Sequence, residues 1–310
     1  MLASILDTLD SDPVDPVRLP LLTSQRPLLI LLGSYLLFIK VIGPKIMENR
    51  KPFDLRGAIR IYNITQITYN LLMFSFAVYF MLGPANYNFK CIQNLPLEHD
   101  YKNWERWLSY SYFLNKILDL LETIFFVLRK KNRQISFLHV FHHVYMIYFS
   151  YLYLWYYGYG GHGFFMCFFN VVVHIGMYTY YYQAAKDAKA NLWWKKYITI
   201  VQLVQFGIIM CHSFYTLMQP DCPSAQFSAK ASGSISIFFF LLFSNFYINA
   251  YILPNKKANK KAKSFSTNYP PAKELLFIKA SVVVVVAHHG ESNGGASAFG
   301  GCGKVSAIAN

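Results

Sequence analysis

Charged residues are scarce in this 310-residue chain: only 14% of it is Asp, Glu, Lys or Arg, against about a quarter in a soluble domain. That scarcity excludes a water-facing globule of this size. Acidic residues are the rarer kind, 15 against 29 Lys and Arg, which leaves a formal net charge of +14. Cysteine is sparse too, and its five scattered positions form neither a CxxC pair nor a zinc-ligand pattern. The N-terminus, MLASILDTLDSDPVDPVRLP, is acidic and proline-rich, unlike a cleavable signal peptide. What is plentiful is apolar: 55% of the chain is hydrophobic, with 24 Tyr and 27 Phe, which excludes a disordered chain. Apolar bulk with few, clustered basic charges points to a polytopic membrane protein, not a nucleic-acid binder.

A membrane-crossing helix needs about 20 mostly apolar residues. Seven segments qualify, at about 27–43, 61–82, 109–128, 135–157, 164–182, 197–217 and 235–253. Loop charge orients them. The loops after the first, third, fifth and seventh segments hold eighteen cations, among them Lys45, Arg50, Lys130, Lys195 and Lys256, whereas the other side holds six. The positive-inside rule places the eighteen in the cytosol and the N-terminus on the lumenal or outer side. Cys91 and Cys222 then share the oxidising side, where a disulfide between them fits; two unrelated thiols are the alternative. Cys167 and Cys211 fall within spans and read as small core residues.

Ionisable groups inside a membrane are costly and usually face a cavity or a partner. Span 3 carries Lys116, Asp119 and Glu122 at successive intervals of three. Span 4 opens with His139, His142 and His143, an HxxHH cluster on one helical face. Span 5 carries Asn170 and His174, span 6 carries Gln202, Gln205 and His212, and span 7 carries Asn245, Asn249 and Tyr251. At a rise of about 1.5 Å per residue, most of these lie roughly 6–14 Å from the cytosolic ends of their helices. Helices of opposite direction thus deliver polar residues to one layer, as a single buried site would require. A lone intramembrane Asn or Gln is more often an interhelical hydrogen bond than a catalyst. Lys116 with a neighbouring carboxylate reads equally as a structural ion pair. Three histidines on one face are harder to explain as packing.

Two chemistries would use them. A metal-dependent membrane lipid desaturase or hydroxylase is one, but a two-metal site needs many ligands. Of nine histidines, His99 and His162 sit on the non-cytosolic side and His288 and His289 in the tail, which leaves too few. The other is imidazole catalysis, in which a neutral histidine attacks an activated acyl group and further donors stabilise an oxyanion or enolate. A seven-helix receptor or transporter is the non-enzyme alternative, but its polar residues would trace a path across the bilayer.

Between residues 26 and 263 the chain resembles the very-long-chain fatty acid elongases, the 3-ketoacyl-CoA synthases of the endoplasmic reticulum. The matching stretches are GPKIMENRKPF at 43–53, YN at 62–63, LETIFFVLRKKNRQISFLHVFHH at 121–143, NVVVHIGMYTYYY at 170–182, TIVQLVQF at 199–206 and FYINAY at 246–251. Within that family it is most similar to the animal branch acting on saturated and monounsaturated chains. The resemblance implies an all-α integral membrane fold of seven transmembrane helices around a buried acyl tunnel, open to the cytosol and closed at the lumenal end. It implies condensation of an acyl-CoA with malonyl-CoA, losing CO2 and CoA and adding two carbons, with no metal and no cofactor. The basic cytosolic loops would suit the phosphates of CoA.

The same resemblance gives roles to single residues. His142 accepts the acyl group, His139 and His143 orient it or move protons, and His174 acts on malonyl-CoA as it decarboxylates. Lys116, Asp119, Glu122, Asn170, Tyr178, Gln202, Gln205 and Tyr251 line the substrate site, and Cys91 and Cys222 correspond to a lumenal disulfide. The family usually reads Lys-x-x-Glu-x-x-Asp where this chain has Asp119 before Glu122. The chain-length limit is expected from spans 5 to 7, with Cys211 and His212 near the plug. Expected partners are the bilayer, other enzymes of the elongation cycle and a second copy of the chain, with no nucleic acid. The expected location is the reticulum membrane, N-terminus lumenal and C-terminus cytosolic. The expected domains are a lumenal segment 1–26, the seven-span domain 27–263 and a disordered low-complexity tail 264–310, in which His288, His289 and Cys302 have no function.

Overall fold

The computed structural model describes residues 12–187, 192–222 and 225–253. The tail 264–310 and the lysines at 256–263 lie outside the described residues. Among the described residues every regular element is helical. Helix α1 covers Gln25–Met47, α2 Arg56–Leu82, α3 Lys102–Leu118, α4 Leu120–Leu128, α5 Phe137–Tyr156, α6 His162–Lys186, α7 Lys195–Leu217 and α8 Gln226–Ile252.

Five of these, α1, α2, α6, α7 and α8, are long and apolar enough to cross a membrane. This is a multi-pass membrane protein. The expected spans at 109–128 and 135–157 look different. The first is two helices, α3 and α4, which break at Asp119, where Glu122 N–H donates to the Asp119 carbonyl three residues back. Such tightened turns often mark functional sites in helices. The second, α5, carries three histidines and five tyrosines, which lower its apolarity.

Packing follows from which faces are apolar. Helix α2 packs along α6, α7 along α8, and α3 against α5. One buried apolar cluster joins α2, α3, α6, α7 and α8 around Phe80, Tyr112, Ile209 and Phe239. A second joins α1, α3 and α5 around Leu28, Phe113, Ile147 and Tyr151. Helix α1 meets α4 at Gly43, where an added Cβ would lie 2.6 Å from Val127 Cγ1, so only glycine permits this approach. The broken α3–α4 pair thus lies in contact with both clusters.

On the side opposite the HxxHH end of α5, the chain is tied down by covalent and ionic contacts. Cys91 and Cys222 are joined by a disulfide. Arg106 Nε donates to both carboxylate oxygens of Asp15 at 3.0 Å, and Lys102 Nζ donates to Glu105 at 2.7 Å. All four of these side chains are buried. Cys211 is exposed and so is not the core residue expected of it, whereas Cys167 is half-buried.

Candidate active site

Asp119 and Thr123 lie one helical turn apart on the α3–α4 break, and each organises a polar group of its own. Around Asp119, Oδ1 accepts hydrogen bonds from Tyr178 Oη and Gln66 Nε2, both at 2.7 Å. Its other oxygen lies 3.0 Å from Lys116 Nζ and 3.7 Å from His174 Nδ1. Lys116 Nζ also donates to Asn170 Oδ1 at 2.9 Å and stands 3.3–3.4 Å from the two ring nitrogens of His174. Tyr112 Oη donates to the same Asn170 oxygen at 3.0 Å. A buried ion pair is favourable only when the leftover lone pairs and protons find partners. Here Tyr178, Gln66 and Asn170 supply them.

Around Thr123 the partners are histidines. Tyr35 Oη donates to Thr123 Oγ1 at 2.8 Å, and Thr123 Oγ1 lies 2.8 Å from His139 Nε2. Thr123 Oγ1 thus bridges the Tyr35 hydroxyl and the His139 ring. His139 stands at the start of α5 because Ser136 caps the helix, its Oγ accepting from His139 N–H at 3.2 Å. The rings of His139 and His143 are 4.5 Å apart, and those of His142 and His143 5.6 Å. Phe239 packs edge-on against His142 at 4.8 Å, and His142 Nδ1 is buried with no hydrogen-bond partner among the described residues.

Glu122 is buried and makes no hydrogen bond among the described residues, yet its carboxyl shares space with two imidazoles. One ligand atom each from Glu122, His139 and His143 falls within 4.8 Å of the others, close enough to hold one metal ion. The exchange of the two acids has a geometric consequence. The shorter arm at 119 stays within the Lys116–Tyr178 network, and the longer arm at 122 reaches the histidines of α5.

The structure therefore joins Lys116, Asp119, Asn170, His174 and Tyr178 in one network and places Glu122, His139, His142 and His143 together beside it. No hydrogen bond among the described residues joins Gln202 or Gln205 to either group. Tyr251 bonds to Thr199 across the α7–α8 contact. Asn249 bonds back to Asn245 one turn earlier in α8, a local arrangement, not a site contact. His212 likewise turns elsewhere, to the Phe89 carbonyl at 2.9 Å and into a stack with Phe165 and His162. Residues that the sequence reading assigned no role include Gln66, Asn115, Tyr112, Thr123 and Tyr35. For α2 the signal was present: Asn63, Gln66 and Asn70 form a buried polar stripe in an otherwise apolar helix.

Next to Asn170 and Tyr112 begins an apolar cavity bounded by α2, α3, α5 and α6, with no residue from α7 or α8. It is lined by Met73, Leu108, Phe149, Phe164, Cys167 and Val171, among others. Along α6 it runs from Val171 to Gly163, eight residues, or about 12 Å. A loop carboxyl outside the helices completes the electrostatic picture. Asp54 is held at about 2 by hydrogen bonds from Arg56, which occupies one of the basic groups on that loop.

Sequence comparisons identify the relatives of this chain. The family described as ELO, the GNS1/SUR4 family, matches residues 20–259. The very long chain fatty acid elongase F of Drosophila melanogaster is 51% identical over 254 residues, covering 81% of this chain and 99% of that protein. The human very long chain fatty acid elongase 4 is 38% identical over 251 residues, covering 78% of this chain and 77% of the other. Very long chain fatty acid elongase 7 of Drosophila melanogaster is 36% identical over 251 residues, covering 79% and 74%. With most of its length matched by the family and by relatives well above 30% identity, the chain belongs to the ELO family.

Proposed function

We propose that this chain is the condensing enzyme of fatty acid elongation, joining a long-chain acyl-CoA to malonyl-CoA with release of CO2 and CoA. The observation that carries the reading is a histidine cluster beside a buried Lys116–Asp119–His174 network, which reaches an apolar cavity through Asn170 and the lining residue Tyr112. A reaction on an acyl thioester uses all three parts.

In this reading the acyl chain lies in the cavity and its thioester at His142. A ring nitrogen of His142 attacks the carbonyl carbon, the C–S bond breaks, and the imidazole proton passes to the departing CoA sulfur. His139 and His143, beside it, orient the ring and carry that proton. Malonyl-CoA then loses CO2 next to His174 and Lys116, whose ammonium favours the developing enolate oxygen. The enolate carbon attacks the acyl-imidazole, the C–N bond breaks as His139 or His143 returns a proton to the ring, and the 3-oxoacyl-CoA leaves two carbons longer. No metal and no cofactor enter these steps.

The finer architecture belongs to the same proposal. The α3–α4 pair and α5 complete seven crossings, and the cavity is the inner part of a tunnel opening to the cytosol. The N-terminus is lumenal, the membrane is that of the endoplasmic reticulum, and other elongation-cycle enzymes pass substrate to it. The loop cations and the placement of the disulfide support this orientation.

Intact-mass analysis tests the chemistry. Protein mixed with a long acyl-CoA and no malonyl-CoA should gain the acyl mass, His142→Ala should not, and malonyl-CoA should discharge the adduct. The metal-dependent reading has one observation in its favour, the Glu122–His139–His143 cluster. It would win if no adduct formed, iron co-purified and chelation abolished activity.

A further inference from the structure

The apolar cavity ends at a tyrosine whose placement depends on a glycine. Tyr153 lies on α5, and its hydroxyl oxygen accepts a hydrogen bond from Gly163 N–H at 2.8 Å while donating to the Gly160 carbonyl at 3.2 Å. Both glycines belong to the start of α6 and the turn before it, and both line the cavity with Tyr153. An added Cβ at Gly163 would lie 2.5 Å from the Tyr153 ring, inside any real contact distance. Ser109 fixes the turn from the α3 side, accepting from Gly160 N–H at 3.1 Å.

We infer that Tyr153, pinned to the α5–α6 turn and given room by Gly163, is the floor that limits how long an acyl chain this enzyme accepts. This rests on the reading of the cavity as the acyl site. A ring held by two backbone hydrogen bonds cannot swing aside cheaply, because moving it strands a buried N–H and a buried carbonyl. A longer chain would therefore meet a fixed wall. The limit lies on α5 and α6, not beside Cys211 and His212, neither of which lines the cavity.

The test is product length. Wild-type protein in microsomes, given malonyl-CoA and a series of saturated acyl-CoAs, is compared with Tyr153→Leu, Gly163→Ala and Cys211→Ala. Tyr153→Leu should move the longest product up by at least one two-carbon round. Gly163→Ala pushes the ring into the cavity and should move it down by at least one. Cys211→Ala should leave the distribution unchanged. Active variants at 153 and 163 with the wild-type distribution would overturn the inference and leave the elongase reading standing. Failure of the wild type to extend any acyl-CoA would overturn the elongase reading itself. Should the variants not accumulate, an acyl-CoA of the longest accepted length bearing a terminal diazirine decides the matter on wild-type protein. Photolabelling of the peptide containing Tyr153 or Gly163 is expected, and labelling confined to α7 or α8 would overturn the proposal.

Discussion

Tyr178 donates a 2.7 Å hydrogen bond to Asp119 Oδ1, linking α6 to the break between α3 and α4. The bond leaves the other carboxylate oxygen to face Lys116 at 3.0 Å. Asp119→Asn would remove the negative charge and strand the buried ammonium of Lys116. Breaking one partner of a buried pair typically costs about 3–5 kcal/mol. Tyr178→Phe removes the bond to Asp119 and the hydroxyl contacts with Tyr62 and Gln66, and should cost about 1–3 kcal/mol, because Gln66 still donates to Asp119 Oδ1. Thermal unfolding in detergent should therefore rank wild type above Tyr178→Phe and Tyr178→Phe above Asp119→Asn, with condensation rates in the same order. Equal stability of Asp119→Asn and wild type would show that the Lys116–Asp119 pair contributes nothing to the fold.

Much of this network could be read from the sequence because charge in an apolar helix is conspicuous. Lys116, Asp119 and His174 stand out for the cost of burying them. Thr123 does not, since a helical threonine ordinarily satisfies itself on its own backbone. Thr65 and Thr179 do so here, donating to the carbonyls of Ile61 and Ile175 four residues back. The same residue type at 123 instead bridges Tyr35 and His139, a difference set by tertiary packing that no local pattern carries. The break at Asp119 was hidden for a similar reason. Its neighbours have ordinary helical composition, and the shift of one hydrogen bond has no sequence signature. Which helices line the cavity was hidden too, because hydropathy finds helices but does not tell which of them meet.

Thr123 gives a second prediction. Thr123→Val keeps the shape but leaves Tyr35 Oη and His139 Nε2 without their partner, so the ring loses the contact that orients it. The turnover number should fall on the order of tenfold, equivalent to about 1.4 kcal/mol. Thr123→Ser restores the hydroxyl and should recover most of the rate. KM for acyl-CoA should change little in either variant, since Thr123 does not line the cavity. Failure of serine to outperform valine would assign Thr123 to packing alone.

Glu122 offers a third. Its longer arm places a carboxyl beside His139 and His143, so Glu122→Gln should slow acylation more than it lowers stability. Glu122→Asp withdraws the carboxyl by one methylene and should slow acylation too. Stopped-flow release of CoA in the absence of malonyl-CoA isolates this step. Wild-type acylation rates in both variants would remove Glu122 from the chemistry.

The side opposite the HxxHH end of α5 supports a fourth prediction, about stability without chemistry. Asp15 and Arg106 are buried and paired across 91 residues of chain, tying the N-terminal segment to α3. Asp15→Ala leaves the guanidinium buried without a counter-charge, a loss of about 3–5 kcal/mol. Replacing both partners with apolar groups removes the stranded charge along with the attraction. Asp15→Ala combined with Arg106→Met should therefore unfold at a higher temperature than Asp15→Ala alone. Non-additivity of this sign is expected of residues in direct contact. Additive losses would mean that the two side chains stabilise the fold independently, with the ion pair contributing nothing.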